Sequence, residues 1–239
     1  MFGVPRSLNI LLKLNLFIQK DKNKKKYKVI VTPPFTLIES FAKRLKRGFI
    51  KIGAQNCYHK DFFSSNTGAI SPHMLKKIDS KFVIIGHSDN RAEGDSNMMI
   101  KEKVKHSLNN KLKVIFCIGE NYKQKKNNQT MSILKKQIKD SLNKDLNINN
   151  LIIAYEPIWS IGSGLIPSGN ELFKISTNIK KILKTFFKSK KIPPLLYGGS
   201  VDSSNISKFK NIRPLDGFLI GGASKSSKKF IDIIKNYYR

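Results

Sequence analysis

Three kinds of group in this chain could do chemistry together. Glu156 ends an apolar run, LIIAYE, and is followed at once by PIWSIGSG, a loop that begins with proline and carries glycines near its far end. His87 follows a second apolar run, FVIIG, and Gly198-Gly199-Ser200 and Gly221-Gly222 follow two more. A carboxylate can take a proton from a carbon next to a carbonyl. An imidazole can hydrogen-bond the carbonyl oxygen as it becomes an enediolate. Glycine lets backbone N–H groups approach phosphate oxygens closely. The set suits proton transfer on a small phosphorylated substrate. Taken singly, each has an ordinary reading: an ion-paired strand end, a satisfied core histidine, two plain turns. Their joint occurrence carries the chemical one.

These groups need elements to position them. Seven short runs rich in Val and Ile recur along the chain: YKVIVTPP, FIKIGAQN, FVIIGHS, KVIFCIGE, LIIAYEP, PLLYGGS and DGFLIGG. They are continuous rather than alternating, the pattern of parallel strands covered on both faces. Helical stripes lie between them: Ile100, Val104 and Leu108; Leu134, Ile138 and Leu142; Phe230, Ile233, Ile234 and Tyr237. Alternating strands and helices imply an α/β protein with a parallel sheet. Polar or glycine-rich groups follow six of the seven runs, always at the C-terminal end. A barrel, in which all strand tops converge on one site, accounts for this better than a doubly wound sheet with its single switch point. No linker or composition break divides residues 1–239, so one barrel domain is expected. The Lys- and Asn-rich stretch 121–130 reads as a loop or helix end.

The composition narrows the rest. The chain has 239 residues, 40% hydrophobic and 26% charged, in the range of globular proteins. A formal charge of +29 raises nucleic-acid binding, yet only six of the 45 basic residues are Arg, the better phosphate and base reader. The lysines are spread over every polar face, so no nucleic-acid partner is expected, although the positive field would attract a small anion. No apolar run approaches the roughly 18 residues of a membrane span, and Lys13 and Asn15 interrupt the apolar start, so neither membrane nor secretory targeting is expected; the location is read as cytoplasmic. Cys57 and Cys117 have no metal-ligand spacing and are read as reduced core residues. His59, His73 and His106 keep ordinary readings, and no metal is expected.

With these residues in hand, the chain resembles the triosephosphate isomerases. IIGHSDNR is similar to the family's histidine motif and AYEPIWSIGSG to its base-and-lid motif. LLYGGSV and GFLIGGAS resemble its two phosphate-binding turns, and GAQN and TGAISPHML its third strand and dimer loop. The likeness runs from about residue 3 to the C-terminus. It implies a (β/α)8 TIM barrel that interconverts dihydroxyacetone phosphate and D-glyceraldehyde 3-phosphate without a cofactor. Under this resemblance Glu156 is the base, His87 the neutral electrophile, and Ser88 a residue that holds Glu156 in the unliganded state. Asp89 has a supporting role. Amides of Gly162, Ser200, Gly221 and Gly222 hold the phosphate. Ile158, Trp159, Ser160, Ile161, Gly162, Ser163 and Gly164 form the lid, with Trp159 anchored through its indole N–H, Glu120 being the candidate acceptor. A homodimer is implied, with Thr67 and its loop entering the neighbouring subunit.

The chain also departs from the family pattern. Members open with a strand ending Asn-Trp-Lys-Met-Asn-Gly, whose Asn and Lys sit in the active site; here Met1-Phe2-Gly3 falls where Met-Asn-Gly would be. The expected eighth strand and the lysine are thus one absence. One expectation is that Met1 is an internal methionine preceded by roughly ten more residues, about one strand and its end. The rival is a shortened chain with two unpaired edges, and with it a non-catalytic barrel that only binds a phosphorylated ligand. Two further changes pair up: Asn90 replaces an arginine and Ala69 the glutamate that partners it, so no lone buried charge is left.

Overall fold

The structure, a computed structural model, describes residues 2–61 and 65–238. Its centre is one sheet of seven strands: β1 (Val29–Val31), β2 (Ile50–Ala54), β3 (Phe82–Ile85), β4 (Lys113–Ile118), β5 (Leu151–Tyr155), β6 (Leu195–Tyr197) and β7 (Gly217–Phe218). Each is parallel to the next, and their order in the sheet is their order in the chain. All seven apolar runs therefore form strands, curling as in the (β/α)8 fold. β1 and β7 end the order, and no ladder joins them among the described residues.

Nine helices flank the strands among the described residues: α1 (Leu8–Lys20), α2 (Ile38–Arg44), α3 (Pro72–Lys77), α4 (Ser88–Ala92), α5 (Asn97–Asn109), α6 (Tyr122–Lys126), α7 (Thr130–Ser141), α8 (Gly169–Phe187) and α9 (Ser227–Tyr238). Serines start two of the longest. Ser96 accepts from the Met99 N–H before α5, and Ser168 from the Glu171 N–H before α8, satisfying N–H groups that lack helical partners. The predicted stripes face inward, with Ile100, Val104, Leu134, Ile138, Ile233 and Ile234 all buried.

The continuous apolar runs have a simple cause. On β4, Val114, Phe116 and Ile118 join the core under the helices, while Ile115 and Cys117 join a smaller cluster with Ile84 and Ala154. Because successive side chains point to opposite faces and both faces are covered, every position must be apolar. The smaller cluster is the inside of the barrel.

Of the two readings of residues 121–130, loop or helix end, the helical one holds: α6 spans Tyr122–Lys126 and α7 begins at Thr130. Asn121 caps α6 by accepting from the Gln124 N–H, and the Gln124 side chain accepts from the Asn121 N–H. This reciprocal box overrides the poor composition of the segment. The polar groups after β2 turn out to be structural. The Gln55 side chain donates to the Thr32 carbonyl at 2.9 Å, and Asn56 accepts from Lys103, itself buried and paired with Asp95 at 2.6 Å. Among the described residues no helix is long and apolar enough to cross a membrane.

Candidate active site

Glu156 follows β5 directly, and its N–H donates to the Ile118 carbonyl at 2.8 Å, extending the β4–β5 ladder by one step. That fixes the backbone from which the carboxylate projects. The residue is only 4% exposed, and its Oε2 is buried without a hydrogen-bond partner. Burial pushes its carboxyl above the usual carboxylate range; His87 and the Cys117 side chain pull the other way. Cys117, on β4, is in turn pushed well up by burial first and by the Glu156 charge second, so it stays a neutral thiol.

His87 stands at the end of β3 and caps α4. The Asp89 backbone N–H donates to His87 Nδ1 at 3.2 Å, which leaves the ring proton on Nε2. Nε2 faces Glu156 Oε1 at 3.6 Å. A buried acceptor and an N–H donor thus confront each other from two strands. Asp89 supports the histidine through its backbone; its carboxylate is 82% exposed and lies 3.6 Å from Nδ1. Ser88 opens α4, and no hydrogen bond joins it to Glu156, contrary to the expected tether; Glu156 Oε2 has no partner at all.

Two glycines make room for Glu156. A Cβ on Gly198 would lie 2.6 Å from Glu156 Cγ and 3.0 Å from Oε1, and one on Gly119 would overlap the Glu156 carbonyl. Gly119 is held at both ends by Gln137 of α7, which accepts from its N–H at 2.9 Å and donates to its carbonyl at 3.0 Å. Arg91 ties β3 to β4, donating to the Gly86 carbonyl at 2.8 Å and the Cys117 carbonyl at 3.4 Å. Gly198→Ala should therefore fold and yet displace the carboxylate, lowering kcat by about 10²-fold, the scale of a misplacement near 1 Å. Steady-state rates beside a circular-dichroism melt would check this, and full activity in a folded variant would refute it.

The loop after Glu156 begins with a 3-10 turn, Ile158–Ser160, and Gly162 and Gly164 adopt left-handed φ values of 67° and 76°. Trp159 donates its indole N–H to Glu120 Oε1 at 3.0 Å, and the Tyr155 hydroxyl donates to the same oxygen at 3.2 Å. The sequence suggests that acceptor but misses the second grip. Lys125 Nζ lies 3.5 Å from the centre of the indole face and 2.9 Å from Glu171 of α8. Leaving 121–130 as a loop or helix end hides Lys125; the N-x-x-Q capping pattern marks the short helix that carries it.

Ser200 and Gly221-Gly222 follow β6 and β7, which pair, so the two turns are neighbours at the same end of the sheet as Glu156 and His87. Ser200 is engaged by the loop after Glu156: its hydroxyl donates to the Ser160 carbonyl at 2.6 Å and accepts from the Gly164 N–H at 3.2 Å. Gly162 is exposed. Thr67 is exposed beside Gly68, whose φ is 78°; residues 62–64 lie outside the described part of the chain.

Comparison with known proteins gives one consistent answer. The family model described as triosephosphate isomerase matches residues 7–237. Triosephosphate isomerase of Dictyoglomus thermophilum is 36% identical over 226 residues, covering 92% of this chain and 90% of that protein. The Thermodesulfovibrio yellowstonii protein of the same name is 38% identical over 229 residues, covering 93% and 91%. Among solved structures, triosephosphate isomerase from Bartonella henselae superposes with a TM-score of 0.89 at 30% identity, covering 100% of this chain and 96% of that one. A (β/α)8-type sheet with a buried carboxylate and an imidazole at its C-terminal end, matched over almost its whole length, places this chain in the triosephosphate isomerase family.

Proposed function

We propose that the chain interconverts dihydroxyacetone phosphate and D-glyceraldehyde 3-phosphate as a cofactor-free isomerase. The observation that carries this is the facing pair: Glu156 Oε1 lies 3.6 Å from His87 Nε2, whose ring proton is assigned by the backbone donor on Nδ1. Glu156 takes the proton from the carbon beside the substrate carbonyl. His87 Nε2–H hydrogen-bonds the carbonyl oxygen as negative charge develops there. Glu156 then returns the proton to the neighbouring carbon, while the hydroxyl proton moves from one substrate oxygen to the other, so no atom is gained or lost. Amides of Ser200, Gly221, Gly222 and Gly162 grip the phosphate, while residues 158–164 close over the site and exclude water. One barrel domain, a homodimer engaging through Thr67 and a cytoplasmic location complete the reading.

The test is a coupled isomerase assay on the purified chain in deuterated water. Turnover with solvent deuterium on the carbon beside the product carbonyl is expected. His87→Gln should lower kcat by about 10²–10³-fold, as for loss of an oxyanion-stabilising donor. Absence of turnover with phosphate binding retained would favour the non-catalytic barrel instead.

A further inference from the structure

The fold sorts the charge carried by its loops. Seven stretches lead into the strands: 21–28, 45–49, 78–81, 110–112, 142–150, 188–194 and 210–216. Because every ladder is parallel, all seven lie at the end of the sheet opposite Glu156 and His87. They hold 15 basic residues and four acidic ones. The seven stretches that follow the strands, 32–37, 55–71, 86–96, 119–129, 156–168, 198–205 and 219–226, are longer in total and hold six and seven. A general preference for lysine would load both ends alike. Of the 15, all but Lys24 are exposed. Among the described residues Lys81, with Asp79, is the only one of them in an ion pair. Chain order makes the loop lysines look evenly spread; the fold gathers them at one end.

We propose that this end is a docking surface for an anionic lipid bilayer. The stretches come from adjacent strands, so their charges form a broad face rather than a stripe or groove. Such a face fits a plane of phosphates better than a nucleic-acid rod. Lysine suits it as a point charge that asks for no fixed geometry, whereas only Arg47 and Arg213 offer the forked contact favoured on nucleic acid. Residues 21–28 alone supply five lysines, the density of a polybasic membrane-binding segment. The single acid among them, Asp21, is occupied by the Tyr27 hydroxyl and the Asn23 N–H. Phe49 stands exposed within the face, with Lys24 Nζ 5.6 Å from its ring centre, an apolar group placed to enter the headgroup layer. Between the ends of α1 and α9, a cavity of about 530 Å³ lined by Phe17, Lys20, Lys22, Lys235 and Tyr238 offers a seat for one headgroup. Adsorption of this kind needs no spanning helix, and it leaves the Glu156 end facing water.

The full chain is sedimented with vesicles of phosphatidylglycerol and phosphatidylcholine in equal parts, and with vesicles of phosphatidylcholine alone. Binding to the first, none to the second, and release by added salt are expected. Lys25→Gln/Lys26→Gln should lower the partition coefficient about 30-fold, the scale for two lysines at an anionic surface. Lys123→Gln/Lys126→Gln removes the same charge from the opposite end and should change it less than about 3-fold, since charges beyond a Debye length are screened. Equal losses from the two double variants would make net charge, not this face, the cause of adsorption and overturn the proposal. Failure of the wild type to bind the mixed vesicles would do the same. So would a gel shift of duplex DNA or RNA at a salt concentration that abolishes vesicle binding, which makes the partner a nucleic acid. Orientation is read from Trp159, the chain's only tryptophan, in a stretch at the other end. Its quenching by acrylamide should be the same free and bound; protection on binding would put that end on the bilayer and overturn the assignment.

Discussion

Glu156→Gln is expected to lower kcat by about 10³–10⁴-fold, at the upper end for loss of a positioned base. The amide keeps the shape of the side chain and removes the site that accepts the proton. The same residue sets the pH profile. Burial raises its carboxyl above the ordinary carboxylate range, so kcat/KM of the wild type should fall on acidification at a midpoint above that range. Stability changes with the opposite sign. A carboxyl raised in the folded state favours folding at low pH, where it is protonated, and that contribution is lost as pH rises through its folded value. At neutral pH the wild type therefore holds a desolvated charge that the glutamine variant lacks. Urea midpoints should show the variant more stable by about 1 kcal/mol, the scale of one unmet buried polar group. The gap should shrink toward about pH 4, near the ordinary carboxylate value. A variant equally active, or less stable at neutral pH, would remove Glu156 from the role of buried base.

Gly119→Ala is expected to be the most damaging single methyl in the chain. Its Cβ would sit 1.8 Å from the Glu156 carbonyl oxygen, a backbone atom that cannot rotate aside. The adjoining ladder bond, Glu156 N–H to Ile118, holds the two strand ends together at that point. Either β4 and β5 part at their tops or Gly119 leaves the Gln137 clamp. Both routes break hydrogen bonds beneath the Glu156 carboxylate. A loss of at least about 3 kcal/mol, the upper range for overpacking, should appear as a lowered urea midpoint together with lost turnover. Gly198→Ala provides the contrast, because its clash is with the movable end of a side chain.

Much of this architecture was legible from pattern. Parallel strands covered on both faces must be apolar at every position, so seven runs announced seven strands, even β7, whose ladder spans only Gly217–Phe218. Glu156 and His87 were legible because a carboxylate and an imidazole, each at the C-terminal end of such a run, make a pair that can move a proton. Residues that act through three-dimensional neighbours were not. Gln137 sits on a helix with nothing in its spacing to reveal a clamp on Gly119. Ser88 shows the converse error. The family resemblance implied a tether from Ser88 to Glu156, but no hydrogen bond joins the two, and the donor that matters to the histidine is the next residue's backbone.

The agreement between chain order and sheet order bears on how the protein is made. Each strand docks on the one synthesised just before it, so the sheet can lengthen stepwise as the polypeptide leaves the ribosome, at about 5–20 residues per second. Chemistry cannot appear stepwise. The imidazole emerges with β3, the carboxylate with β5 and the Gly221-Gly222 turn only after β7. A nascent chain paused before its last strand can be largely folded and still be catalytically silent.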